Sequence, residues 1–499
     1  MKILLAPAAA FLIAAGPAAP APTPSYPPDA VTTHTIALGG RTYAYTARAG
    51  SIALENEKGE TNCRMFYTAF TANGVDPRTR PVTFLYNGGP GSSTIWLRMG
   101  SFGPVRVQAG DAAPTRNAPF NLLDNQYSLL DRTDLVFVDA PDTGFSRIVG
   151  VGKPSDFFGV DPDVRAFAQF VTRYLSAFGR WNSPKFLFGE SYGTPRSAML
   201  VNALQRQGVG INGVVLLSSI LDFSLDWSIN FSPTAIGGND WAFVLYLPTE
   251  AAAAWYHHVL PGPAITLAAL LPQVEDFATH EYLEALAQGA NLPAAQYADV
   301  VTKLHQYTGL SEQYIRQSNL RVPYTRYQTE LLRESGVATG RLDARYTSIM
   351  LDRISDQTDF DPTDAAIDAA FVAAGNYYVR QVLNYQTTLV YRPITSLFRQ
   401  WEWKHNGSLP TNTAQDLAAA MSFNPNLKVF SANGYYDFAT PFYATVYTLN
   451  HLMMPASLQA NVSYGFYDAG HMVYVHPEAL TQFHADLEAW YARVLNPGR

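Results

Sequence analysis

The sequence predicts an α/β protein in which a mostly parallel central sheet is flanked by helices and carries a largely helical cap insertion. Three observations carry that prediction. First, short apolar runs without polar alternation, Pro81–Tyr86 (PVTFLY), Asp134–Asp139 (DLVFVD), Phe186–Phe188 and Gly213–Ser219 (GVVLLSS), have the pattern of strands buried on both faces. Second, helical patterns separate them. Asp161-Pro162-Asp163 opens one in which Val164, Phe167, Val171, Leu175 and Phe178 recur at three- and four-residue spacing. Third, the rhythm stops between about Phe223 and Pro425 and then resumes at Leu427–Ser431 and Asn461–Tyr467. An interrupted alternation of this kind is one sheet with an insertion.

Each element follows in chain order. Met1-Lys2, the apolar stretch Ile3–Ala15 and the small residues and prolines up to Pro28 have the make-up of a secretory signal peptide. Processing is expected within Ala15–Ser25, and export to the periplasm or medium follows from it. Residues 1–25 are thus a signal and lead, and 26–223 the first part of the core. Residues 224–425 form the cap and 426–499 the rest of the core. Arg41–Ala47 and Cys63–Thr71 alternate as antiparallel strands do, and Asn73-Gly74 with Asp76-Pro77 supplies the turn after them. In the cap, helices are expected at Thr249–Val259, Pro293–Tyr307, Gln328–Ser335, Thr363–Tyr385 and Thr413–Met421, and a last helix at Pro477–Val494.

Composition narrows the function classes. The net charge of −7 is spread without long runs, so nothing points to nucleic acid or an anionic membrane surface. Cys63 is the lone cysteine, which rules out an intramolecular disulfide and suits a bacterial periplasm. The ten histidines show no metal-ligand spacing, and neither metal nor other cofactor is expected. At 499 residues the chain is long enough for a large core and a second subdomain.

The chemistry concentrates in Lys185–Arg196, KFLFGESYGTPR. Strand, G-x-S-x-G and a helix opened by Thr194-Pro195 together describe a nucleophile elbow, with Ser191 on a strained turn and the Tyr192 N–H beside it. A serine hydroxyl needs a base, and the base needs an orienting carboxylate. In an α/β-hydrolase these come in the order Ser, Asp, His, on loops at strand ends. Asp437 and His471 meet both conditions. Asp468 is a rival acid, but it shares the histidine's own loop; His476 is a rival base. Upstream, the strand ending at Tyr86 runs into Asn87-Gly88-Gly89-Pro90-Gly91-Ser92-Ser93, where the glycines imply close backbone approach. Such a loop donates one oxyanion-hole N–H in α/β-hydrolases.

The segments FLYNGGPGSS, FVDAPDTGFS, GESYGTP, ANGYYD and DAGHM resemble, in that order, the motifs of the serine carboxypeptidases. The resemblance spans about Pro81 to Met472. It implies Ser191, Asp437 and His471 as the triad, and the N–H groups of Gly89 and Tyr192 as the oxyanion hole. It further implies that Asn87, with Gly88, and Glu190 bind the C-terminal carboxylate of a peptide substrate, and that Met472 lies near the leaving residue. The expected activity is removal of C-terminal residues through an acyl-enzyme. An esterase or acyltransferase on the same triad is the alternative, and an idle binding protein a further one. The chain departs from the family pattern at Ser92, at Thr194-Pro195-Arg196, and at Ser101, which stands where a second substrate-facing carboxylate is expected.

Overall fold

Among the residues described by the structure, a computed structural model covering 26–225 and 239–496, the apolar runs pair into one sheet. Its strands are β1 (Ala30–Leu38), β2 (Arg41–Glu55), β3 (Thr61–Ala72), β4 (Val82–Tyr86), β5 (Asp134–Val138), β6 (Lys185–Glu190), β7 (Gly213–Leu217), β8 (Lys428–Gly434) and β9 (Val462–Tyr467). They lie in the order β1-β2-β3-β5-β4-β6-β7-β8-β9. The first three strands are antiparallel, and β3 meets β5 antiparallel. From β5 to β9 every pairing is parallel. The expected signal peptide and its processing site lie outside the described residues.

The register decides where the loops emerge. Tyr86 pairs with Gly189, Glu190 with Leu217, and Leu217 with Ala432, so β4, β6 and β7 end level with one another. The chain leaves β4 to build β5 on one side and returns to build β6 on the other. A crevice opens at such a reversal, outside the carboxyl ends of the strands.

Both faces of the parallel strands are buried, which is why their sequences do not alternate. Phe186, Phe188, Val215, Leu217 and Phe430 face one layer, packed against α8 (Pro477–Leu495) through Leu480, Phe483, Leu487 and Trp490. Phe84, Leu187, Val214, Leu216 and Val429 face the other. There they meet α2 (Val160–Ala177) through Val164, Phe167 and Val171, and α3 (Gly193–Arg206) through Leu200 and Leu204.

The inserted residues divide in two. Trp241–Tyr256, Leu267–Phe277 and Ala294–Thr308 build a separate apolar cluster. Pro362–Tyr377 and Ala414–Phe423 instead complete the two layers on the sheet, through Ile367 and Phe371 on one face and Leu417 and Met421 on the other. The expected helix at Thr249–Val259 starts earlier, at Trp241, because its first half is as apolar as its neighbours and has no N-terminal signal. A short hairpin, Val337–Thr339 with Thr347–Ile349, was not foreseen in so helical a stretch. No helix among the described residues is long and apolar enough to cross a membrane.

Candidate active site

Ser191 follows β6 directly and has φ of +59°, in the left-handed region that a side chain rarely adopts. Its neighbours are glycine for steric reasons. A Cβ on Gly189 would lie 2.0 Å from the Gly193 carbonyl oxygen, and one on Gly193 would lie 2.8 Å from that of Tyr86. The turn is held by the Ser191 N–H, which donates to Leu217 O at 3.0 Å. Beneath it the departure at Arg196 has a structural role. Arg196 is fully buried, pairs with Asp163 at 2.6 Å and donates to the Asn87 carbonyl at 2.8 Å. Its guanidinium also lies over the Phe167 ring, 4.3 Å from the centroid. Elbow helix, α2 and the loop after β4 are thereby tied together.

Asp437 and His471 meet as the sequence order suggests. His471 Nδ1 is 2.8 Å from Asp437 Oδ2. The buried carboxylate also accepts from the N–H groups of Ala439 and Thr440 at 2.8 and 3.0 Å, and from the Thr440 hydroxyl at 2.7 Å. The histidine backbone is fixed on both sides: its N–H donates to Leu342 O at 2.6 Å, and its carbonyl accepts from the Ser218 hydroxyl at 2.6 Å. Burial alone lowers the imidazole pKa, but Asp437 and the nearby Glu190 outweigh it and the net shift is upward. The rivals are engaged elsewhere. Asp468 accepts from the Tyr436 hydroxyl at 3.3 Å, and His476 sits 2.6 Å from Asp111.

The glycine loop after β4 lies directly against the elbow. A Cβ on Gly88 would stand 2.3 Å from the Tyr192 nitrogen, so no other residue fits there. Among the described residues, neither the Gly89 nor the Tyr192 N–H has a hydrogen-bond partner in the protein. Asn87 Oδ1 accepts from the Leu97 N–H at 3.1 Å, and the side chain lies beside Glu190. Glu190 is 2 % exposed, and its Oε2 has no hydrogen-bond partner. Burial pushes its carboxyl up to about 7.

One expectation fails here. Ser101 was placed to face a substrate carboxylate, but it is fully buried and its hydroxyl donates to Leu97 O at 2.6 Å. It closes the short helix Ile95–Gly100 and does not border the crevice.

Two chambers meet at Ser191. The first, about 390 Å³, is bordered by Asn87, Gly88, Gly89, Glu190, His471 and Met472, and by Arg341, Asp364 and Arg399 from the insertion. Asp364 is pushed up to about 7 by burial and by Asp361 and Asp368 beside it. The second chamber, about 310 Å³, is bordered by Tyr192, Phe223, Tyr324, Phe398 and Trp403. Gly89, Ser191, Arg341 and Phe398 border both. Asn87, Gly88, Gly89, Glu190, Ser191, Tyr192, His471 and Met472 therefore gather around one crevice, with Asp437 buried against His471 and Ser101 outside it. The insertion residues Arg341, Asp364, Phe398, Arg399 and Trp403 were missed, and no local pattern in the sequence marks them.

A glycine-flanked serine on a strand-to-helix turn, bordering the same chamber as an aspartate-held histidine at the carboxyl edge of a mostly parallel sheet, defines an α/β-hydrolase. Within that class the chain is similar to the serine carboxypeptidases, whose family model matches residues 43–261. It is 33% identical over 135 residues to pheromone-processing carboxypeptidase KEX1 of Metarhizium acridum, covering 27% of this chain and 20% of that protein. It is 24% identical over 191 residues to carboxypeptidase Y homolog A of Pyricularia oryzae, covering 37% of this chain and 32% of that protein. The match thus spans a fifth to a third of the length of these curated relatives. Among solved structures, proline iminopeptidase of Mycobacterium smegmatis aligns over 90% of this chain and 100% of its own. The TM-score there is 0.38 and the identity 13%.

Proposed function

We propose that the protein is an exported serine carboxypeptidase that releases C-terminal residues from peptides through an acyl-enzyme on Ser191. The observation that carries this reading is the meeting of Ser191, the Asp437–His471 pair and the buried Glu190 with Asn87 around one crevice. In this reading Ser191 Oγ attacks the carbonyl carbon of the last peptide bond, and His471 Nε2 takes the hydroxyl proton. The carbonyl oxygen becomes an oxyanion, received by the N–H groups of Gly89 and Tyr192. Collapse breaks the C–N bond, and His471 returns the proton to the leaving amine. Water then attacks the ester by the same route and frees Ser191.

Asn87, Gly88 and Glu190 are assigned to the carboxylate of the leaving residue, and Met472 to its side chain. A buried, neutral glutamic acid is a hydrogen-bond donor to a carboxylate, and this favours a free C-terminus over internal bonds. The N-terminal apolar segment supports export. The test is product identification by mass after incubation with a peptide mixture. Single residues lost in sequence from the C-terminus are expected.

A further inference from the structure

Two arginines, Arg341 and Arg399, border the first chamber, and of the two Arg341 alone also borders the second. It lies in the turn of the short hairpin in the insertion, yet it borders both chambers at Ser191. It is solvent-exposed within the crevice. Among the described residues its guanidinium makes no hydrogen bond and has no carboxylate within 4.0 Å, whereas the buried arginines nearby are engaged: Arg196 with Asp163, and Arg345 with Asp343 at 2.6 Å. The backbone around it is held by the loops that carry the acid and the base. The Arg341 carbonyl accepts from the Phe438 N–H at 3.0 Å, and the next carbonyl, Leu342 O, accepts from the His471 N–H at 2.6 Å. A side chain on so firmly tied a turn is aimed rather than loosely hung.

We infer that Arg341 is a cationic anchor for a carboxylate of the leaving residue, delivered by the insertion and independent of the groups on the strand loops. This rests on the exopeptidase reading above. In a peptide, the terminal carboxylate carbon is three bonds from the carbonyl carbon under attack, within about 4 Å of it. An anchor for it must therefore border the space beside Ser191, as Arg341 does. Ser101, turned into its own helix, contributes nothing there. A guanidinium stays charged throughout the working pH range and presents paired N–H donors to a carboxylate. The same chemistry would also accept an aspartate or glutamate side chain on the leaving residue, which reaches further from the scissile bond.

The test compares wild type with Arg341→Gln and Arg341→Lys on three peptides. One has a free C-terminus with a neutral last residue, the second is its C-terminal amide, and the third has a free C-terminus with a glutamate as last residue. A fluorophosphonate probe on Ser191 reports separately that each variant is folded and has a working nucleophile. For Arg341→Gln the account expects KM to rise tenfold or more on the neutral free acid, with kcat within threefold and the amide unaffected. Arg341→Lys should recover part of the loss. A rise confined to the glutamate peptide would assign the anchor to a side-chain carboxylate. An unchanged KM on both free acids, in variants that label normally, would overturn the inference and leave the exopeptidase reading intact. A wild type that cuts the amide as well as the free acid would overturn that reading itself, without any variant.

Discussion

The crevice has two walls of different origin. The strand-end wall carries Ser191, His471, Gly89 and Glu190, with Asp437 buried against His471, each within a few residues of a strand whose register sets its position. The wall from the insertion carries Arg341, Asp364, Phe398, Arg399 and Trp403, contributed by a hairpin turn, an α-helix, a short 3-10 helix and the irregular chain after it. The difference separates chemistry from selection. The proposed acyl transfer requires a fixed geometry, and the sheet offers one through backbone hydrogen bonds and close glycine contacts. Selection requires a shaped and charged cover, which an insertion alters without disturbing the strands.

Substitutions on the two walls should therefore fail in different ways. The largest effect belongs to the strand-end wall. Asp437→Asn would leave the fold intact but present the wrong hydrogen-bond partner to His471 Nδ1, and kcat should drop roughly 10⁴-fold with little change in KM. A loss under tenfold would mean that another group orients the imidazole. Next comes the insertion wall. Trp403→Ala opens the aromatic chamber, and kcat/KM should fall by roughly tenfold to a hundredfold for peptides with an aromatic penultimate residue. Peptides with alanine there should be nearly unaffected, and equal losses on both would mean that the aromatic chamber does not receive the penultimate residue.

The smallest effect is in pH. Because burial raises the Glu190 carboxyl to about 7, it is neutral and a donor below that value, and negative and repelling above it. Binding of a free C-terminus should weaken as pH rises through about 7, with KM increasing roughly fivefold from one unit below to one unit above. Glu190→Gln stays neutral and should show a flat KM over the same interval. A variant that kept the wild-type slope would transfer the titration to another group, Asp364 being the candidate in the same chamber with a similar shift.

The same contrast explains what was legible beforehand. The elbow could be read from five residues, because the turn at Ser191 excludes side chains at Gly189 and Gly193. Asp437 and His471 could be read from order and strand ends, since parallel strands in register bring their exits together. Ser101 was misplaced because a motif position does not reveal a rotamer, and its hydroxyl found a helix carbonyl instead. Arg341 was invisible for a different reason. Its place depends on hydrogen bonds to Phe438 and His471, about a hundred residues later in the chain, and no local pattern encodes them. The insertion looked like a uniform cap in sequence because apolar helices are alike whichever layer they cover. Ala414–Phe423 lies on the sheet and Trp241–Tyr256 does not, yet both are rich in alanine.

The central claim is that the strand-end wall performs acyl transfer on the last peptide bond. The most direct measurement incubates wild type and Ser191→Ala with one peptide as its free acid and as its amide, and follows the products by mass over time. The account predicts a ladder of single-residue losses from the free acid, sharply slower cleavage of the amide, and no ladder with Ser191→Ala. Internal fragments from both peptides, or a ladder that persists in the variant, would contradict it.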